Sequence, residues 1–183
     1  MKNKPIILGI SGSIRLRSYN RFLIETAQRY IPPSFQFEVA DLAFLPLYNN
    51  DLAVSQPPEQ VEIFRQRIVQ SAGLLIASPE YNYSFTGVLK NALDWASTNE
   101  LGNALNEKPI GLMGASTSFF GSARSQLHLR QVLHAVNANV VRRPEVIIPK
   151  SNDKFSPDGK LIDQRGHKKI EALIKALVIL IKI

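Results

Sequence analysis

Apolar residues along this chain switch repeatedly between two periods. Residues 5–10 (Pro-Ile-Ile-Leu-Gly-Ile), 73–78 (Gly-Leu-Leu-Ile-Ala-Ser) and 109–114 (Pro-Ile-Gly-Leu-Met-Gly) are near-continuous apolar runs, as expected of strands covered on both faces. Residues 35–40 (Phe-Gln-Phe-Glu-Val-Ala) alternate like a strand. Val140-Val141 and residues 145–148 read as a last strand interrupted near Pro144. Between these runs the helical period appears. A helix is predicted over 21–30. A second is opened by Pro57-Pro58-Glu59, with Val61, Phe64, Ile68 and Val69 on its apolar face. A third lies within 85–98, beginning at Gly87 or Val88, and a fourth spans 123–136. A closing helix carries Ile170, Leu173, Ile174, Leu177, Val178 and Ile181 at helical spacing. Residues 41–56 read as an irregular connection, and 149–163 as a loose, flexible excursion.

Strand and helix alternate with no internal repeat. That implies an α/β fold: a doubly wound, five-stranded parallel sheet with helices on both faces. The length of 183 residues and 45% hydrophobic content suit one domain over 1–183. In such sheets ligands sit beyond the carboxyl ends of the strands, at the switch point. If the strand order is 2-1-3-4-5, three loops converge there.

The first of these is the segment from Gly9 to Asn20, between the first strand and first helix. A small-residue loop before a helix N-terminus suits an anion, because backbone N–H groups and the helix dipole point at it. Ser11, Ser13 and Ser18 offer hydroxyls, and Arg15 offers a planar fork suited to phosphate. The loop lacks the Gly-Lys-Ser/Thr ending of a P-loop. Only Gly9 and Gly12 are present of the three glycines in a dinucleotide fingerprint. A plain Ser/Gly turn with a surface arginine remains the alternative.

The second loop is Pro79-Glu80-Tyr81-Asn82-Tyr83-Ser84. Pro79 stiffens it, Tyr81 brings a broad face with a polar tip, and Asn82 tolerates unusual backbone angles. Free N–H groups from Glu80 to Ser84 would suit the edge of a flat heterocycle; an ordinary polar turn is the alternative. The third loop, Gly114 to Gly121, has a glycine at each end and permits close approach, or is simply a flexible Ser/Gly loop.

Composition narrows the chemistry. The absence of Cys excludes disulfides, thiol redox chemistry and cysteine-ligated metal. His128 and His134 lie six residues apart in the fourth helix, on different faces, so no metal site is expected. No G-x-S-x-G elbow is present. The net charge of +7 and pI of about 9.8 come from scattered basic residues without a nucleic-acid motif. Small anionic ligands are the expected partners, with no nucleic acid and no membrane. Met1–Lys4 is polar and the run after it short, so no signal peptide is expected and the chain reads as cytoplasmic. Trp95 is expected to pack. Asp94 is undecided between a site and helix capping. Glu145 either pairs with Arg124 or Arg130 across a subunit interface or stands in solvent.

Gly12-Ser13-x-Arg15-x-x-Ser18-x-Asn20, then Pro79-Glu80-Tyr81-Asn82, Leu89-Lys90-Asn91-Ala92-Leu93-Asp94-Trp95, Gly114-Ala115-Ser116 and residues 123–130 together resemble the NADPH-dependent FMN reductase family, in its quinone, chromate and azo-dye reductase branch. The resemblance covers about residues 6–148. It implies a flavodoxin-like fold with noncovalent FMN. The phosphate would lie on Ser13, Arg15, Ser18 and Asn20. The ring would lie against Pro79, Glu80, Tyr81 and Asn82, with Ser116 and Gly121 closing the site. It implies a homodimer or homotetramer, with NADPH or NADH as hydride donor. The electrons would pass to a small-molecule acceptor – a quinone, an azo compound, chromate or free flavin – in a ping-pong cycle. No protein residue is expected to act as a catalytic acid or base. Three positions depart from the pattern: Tyr83 stands where a small residue is common, Thr86 replaces a frequent proline, and Leu127 a frequent tyrosine. A flavodoxin-type carrier without its own substrate is the alternative; such carriers are typically acidic, unlike this chain. A phosphosugar- or nucleotide-binding regulatory module is a third reading.

Overall fold

The computed structural model describes residues 4–182. In chain order the elements are β1 (Ile6–Ser11), α1 (Tyr19–Gln28), β2 (Gln36–Ala40), α2 (Asn50–Ser55), α3 (Glu59–Gln70), β3 (Gly73–Ala77), α4 (Gly87–Ser97), β4 (Pro109–Ala115), α5 (Ala123–Ala135), β5 (Asn139–Val140), β6 (Val146–Ile148) and α6 (Gln164–Ile181). The strands pair in parallel in the order β2-β1-β3-β4-β5, and β6 also pairs with β4. This is the flavodoxin-like order.

The apolar runs work because neighbouring strand residues point to opposite faces. Ile7, Leu75, Met113 and Ala115 pack on one side, against Leu23 and Ile24 of α1 and Ile170, Leu173 and Leu177 of α6. Leu8, Ile10, Leu74, Ile76 and Leu112 pack on the other, against Phe64 and Ile68 of α3, Leu89 and Leu93 of α4, and Leu129 and Leu133 of α5. Each buried Leu, Ile, Met or Phe among them is worth about 1.5–3 kcal/mol, so both faces of the sheet carry the fold.

The fifth lane is interrupted near Pro144 as expected, and two other segments differ from expectation. The fifth lane is two short strands. Val140 pairs with Ile110 and Val146–Ile148 with Met113–Ala115, and between them Pro144 has no N–H to give the ladder. Residues 41–56 contain α2, a six-residue helix. It is too short for a readable period, and its signal is the Asn49 cap, whose Oδ1 accepts the Asp51 N–H at 2.9 Å. Residues 149–163 are not loose. Phe155 bridges Leu161, and both are buried with Tyr19 and Phe22 packed on the same core.

The ends of β1, β3 and β4 are drawn together beyond the strands themselves. Gly12 N–H donates to the Ala77 carbonyl at 2.8 Å, and Ser78 N–H to that of Met113 at 3.1 Å. A Cβ on Gly114 would stand 2.4 Å from the Ser78 carbonyl oxygen, so only glycine lets the loops after β3 and β4 come this close.

Candidate functional site

The three loops meet in one cleft of about 300 Å³ beyond the ends of β1, β3 and β4. Seven of the ten residues expected from sequence line it: Arg15, Ser18, Asn20, Pro79, Glu80, Tyr81 and Ser116. Tyr19, Ala115 and Thr117, which sequence reasoning missed, line it too. Tyr19 was hidden by the helix start: α1 begins at Tyr19, two residues earlier than the apolar period indicates. The deciding signal was the cap. Ser18 Oγ accepts the Asn20 N–H at 3.2 Å, which starts the helix before its apolar face appears.

At the α1 end of the cleft, among the described residues, the N–H groups of Arg15, Leu16 and Arg17 meet no acceptor. Exposed loops leave such donors to solvent or to an anion. Arg15 is exposed, its guanidinium 6.0 Å from the Tyr19 ring centroid. Ser13 is buried beneath the loop, its N–H on Ser11 Oγ at 3.3 Å, and does not line the cleft. Asn20 lines the cleft and also braces it: its amide donates to the Ala115 carbonyl and accepts the Ala115 N–H, both at 2.9 Å. It welds α1 to the end of β4. Thr86 fixes the same loop from the other side. Its hydroxyl donates to the Gly12 carbonyl at 2.5 Å and accepts from Leu89 N–H at 3.3 Å, so the residue that caps α4 also anchors the first loop.

The loop after β3 is tighter than expected. Tyr81 and Ser84 exchange backbone hydrogen bonds at 2.9 and 3.0 Å, which removes two of the N–H groups thought to be free. The turn between them runs through left-handed backbone at Asn82 (φ 48°) and Tyr83 (φ 69°). The asparagine tolerates this; a tyrosine there is strained. Asn82 does not line the cleft. Glu80 presents its backbone there while its carboxylate turns away. That carboxylate is 4% exposed and lies 2.5 Å from the Arg124 guanidinium, and it accepts the N–H groups of Arg124 and Ser125 at 3.0 and 3.3 Å. It therefore caps α5. Gly121 also lies outside the cleft, with φ 61° and Ile147 where a Cβ would go; it shapes the third loop from behind.

The remaining singled-out residues are structural. Trp95 is buried and donates to the Pro46 carbonyl at 2.9 Å, and Asn91 holds the same carbonyl and the Tyr48 N–H. Asp94 pairs with Lys90 one helical turn away at 2.7 Å. Glu145 meets Arg143 at 4.0 Å, while Arg124 is held by Glu80 and Arg130 donates to the Val141 carbonyl. Within the chain, then, neither Arg124 nor Arg130 is its ion-pair partner. His128 lies 3.2 Å from Ser84 Oγ. Among the described residues no cluster of His, Asp and Glu could hold a metal ion.

The fold has close counterparts. The sequence model of the NADPH-dependent FMN reductase family matches residues 5–153. The chain belongs to that family. As a member it is an oxidoreductase that works with FMN and a reduced nicotinamide dinucleotide. An NAD(P)H-dependent FMN reductase of Pseudomonas aeruginosa is 42% identical over 93% of this chain and 92% of its own length. An NAD(P)H:quinone oxidoreductase of Solanum tuberosum is 38% identical over 97% and 94%. The solved structure of the flavoenzyme NAD(P)H:(acceptor) oxidoreductase FerB of Paracoccus denitrificans superposes with a TM-score of 0.87 at 30% identity, covering 97% of both chains.

Proposed function

We propose that this chain binds one FMN noncovalently in the cleft and uses NADPH or NADH to reduce quinones, with azo compounds, chromate and free flavin as further acceptors. The observation that carries the reading is the cleft's two unlike ends. One offers unpartnered N–H groups, a helix N-terminus and Arg15, as a phosphate requires. The other offers the stiff Pro79–Tyr81 backbone beside Ala115, Ser116 and Thr117, as a flat ring requires.

When bound, FMN supplies the two-electron relay between nicotinamide and acceptor. The protein's part is positioning. Arg15 and the N–H groups of residues 15–17 hold the phosphate, with the Ser18 hydroxyl beside them. Ser13 and Asn20 support the loop from beneath. Pro79, Glu80 and Tyr81 present backbone to the ring. Asn82 and Gly121 give their loops the left-handed turns those positions need, and Ser116 closes the far wall. No side chain in the cleft is placed as a proton donor or acceptor. A ping-pong order follows if donor and acceptor use the same face of the ring in turn. The similarity to a quinone oxidoreductase at 38% identity favours quinones as acceptors.

We further infer a homodimer or homotetramer, since Phe44 and Ile63, both exposed, line one apolar groove between the end of β2 and α3, a surface a partner chain would cover. At the last helix, Ile179 is exposed but Leu180 packs on the core, and Ile183 lies outside the described residues. No helix among the described residues is long and apolar enough to cross a membrane. The test of the central reading is spectral. The purified protein should carry or take up one FMN per chain and oxidise NADPH when a quinone is added. A protein that stays colourless on titration with FMN overturns it.

A further inference from the structure

The N–H groups without acceptors at the phosphate end of the cleft belong to an exposed stretch, residues 14–17. Gly12 and Ser18 anchor the two ends of this loop, and residues 154–162 reach its middle. There Ile162 N–H donates to the Lys154 carbonyl and Ser156 N–H to that of Lys160, both at 2.9 Å, which closes a hairpin. Its tip is braced by Ser156 Oγ, which accepts the Lys160 N–H at 3.1 Å, and by Lys160 on Asp158 at 2.7 Å. The hairpin meets the first loop and α1 at three points. The Arg17 guanidinium donates to the Pro157 carbonyl. The buried Phe155 ring lies 5.0 Å from that of Tyr19, the cleft residue beside which the Arg15 guanidinium stands. At Gly159, φ is 85° and a Cβ would stand 2.6 Å from the Phe22 ring, so glycine lets the tip close on α1.

We propose that this hairpin is a clamp that presets the phosphate loop, with Arg17 and Phe155 as positioning residues for FMN. The inference rests on the FMN reading above. Donors already held in convergent positions bind an anion best, because ordering them on binding costs affinity. Pro157 fixes Arg17 at one end of the three N–H groups, and Phe155 backs Tyr19 beside Arg15 at the other. Arg17 is thereby drawn to the hairpin and leaves the phosphate to Arg15. The hairpin itself supplies no ligand, since none of residues 154–162 lines the cleft. Its effect is therefore on the phosphate, the group that riboflavin lacks.

Phe155→Leu and Arg17→Ala test it on the whole chain, with FMN and riboflavin as the probes. Phe155→Leu keeps an apolar side chain in the core and changes no charge. Each variant should raise the FMN dissociation constant about three- to tenfold and leave that of riboflavin within about twofold. In the flavin-free protein, trypsin cleavage after Arg15 should quicken at least threefold in each, because a loosened loop enters the protease more readily. For Arg17→Ala the weakening of FMN relative to the parent protein should persist in about 0.5 M NaCl, where charge at a distance is screened. Equal loss of FMN and riboflavin in Phe155→Leu reports a general loosening of the core and overturns the proposal. So do unchanged FMN affinity, unchanged cleavage after Arg15, or an Arg17→Ala effect that vanishes in salt. A parent protein that binds no flavin is a separate result: it overturns the FMN reading, while cleavage after Arg15 still decides the clamp.

Discussion

Arg15 and Asn20 face the same cleft and do different work. Arg15 is exposed and, among the described residues, meets no carboxylate, whereas the Asn20 amide exchanges two hydrogen bonds with Ala115. The prediction at this scale concerns the first. A charge-assisted hydrogen bond is worth about 1.5–3 kcal/mol, so Arg15→Ala should raise the FMN dissociation constant about ten- to a hundredfold. Arg15→Lys should recover part of the loss, because an ammonium cannot match the two-pronged geometry. Riboflavin, lacking the phosphate, should bind both proteins equally, and fluorescence titration reads all three. Unchanged FMN affinity in Arg15→Ala, with a raised KM for NADPH and not for NADH, would move Arg15 to the nicotinamide phosphate. The family resemblance implies both as phosphate ligands; that the Asn20 amide also braces Ala115 is a long-range contact that spacing does not show.

Single side chains also join elements. Arg65 of α3 is buried and, among the described residues, has no carboxylate partner. Its guanidinium donates to the carbonyls of Trp95 at 2.5 Å, Ala96 at 2.9 Å, Leu101 at 2.7 Å and Gly102. It thereby caps the C-terminus of α4 and the turn after it, where carbonyls lack helical partners. Burial pushes its pKa below the usual arginine range; it stays charged at any pH at which the protein is handled. Arg65→Met should leave those carbonyls without a donor and cost about 3 kcal/mol. For a chain of this size that lowers the melting temperature by about 6–12 °C. FMN affinity should be unaffected, since Thr86 holds the first loop at the other end of α4. A melting temperature within a degree of the parent protein would show that solvent replaces the guanidinium freely. Nothing in the sequence distinguished Arg65 from the other arginines scattered over the chain, because its partners are carbonyls thirty or more positions away.

At the scale of the whole molecule, the exposed apolar residues between β2 and the end of α3 are the feature a lone chain does not explain. Light scattering at micromolar concentration should give a mass at least twice the 20.4 kDa of the chain. Phe44→Glu, which places a charge in that groove, should shift the mass toward the single chain without lowering the melting temperature of the folded unit by more than a few degrees. A monomer across that range, with full quinone reductase activity, would rule out assembly as a requirement of the site.

The sequence by itself determined the α/β class, the lanes of the sheet, and the three loops at which ligands gather. Those features follow from local periodicity and small-residue turns, which act over a few positions. Tertiary structure alone decided which side chains within those loops remain free. Glu80, Asn20 and Thr86 bond distant backbone, Phe155 and Leu161 bury an excursion that reads as loose, and Arg17 is held at its tip. Each of these outcomes depends on atoms brought within hydrogen-bond or stacking distance by the packed sheet, between residues that sequence spacing leaves unrelated.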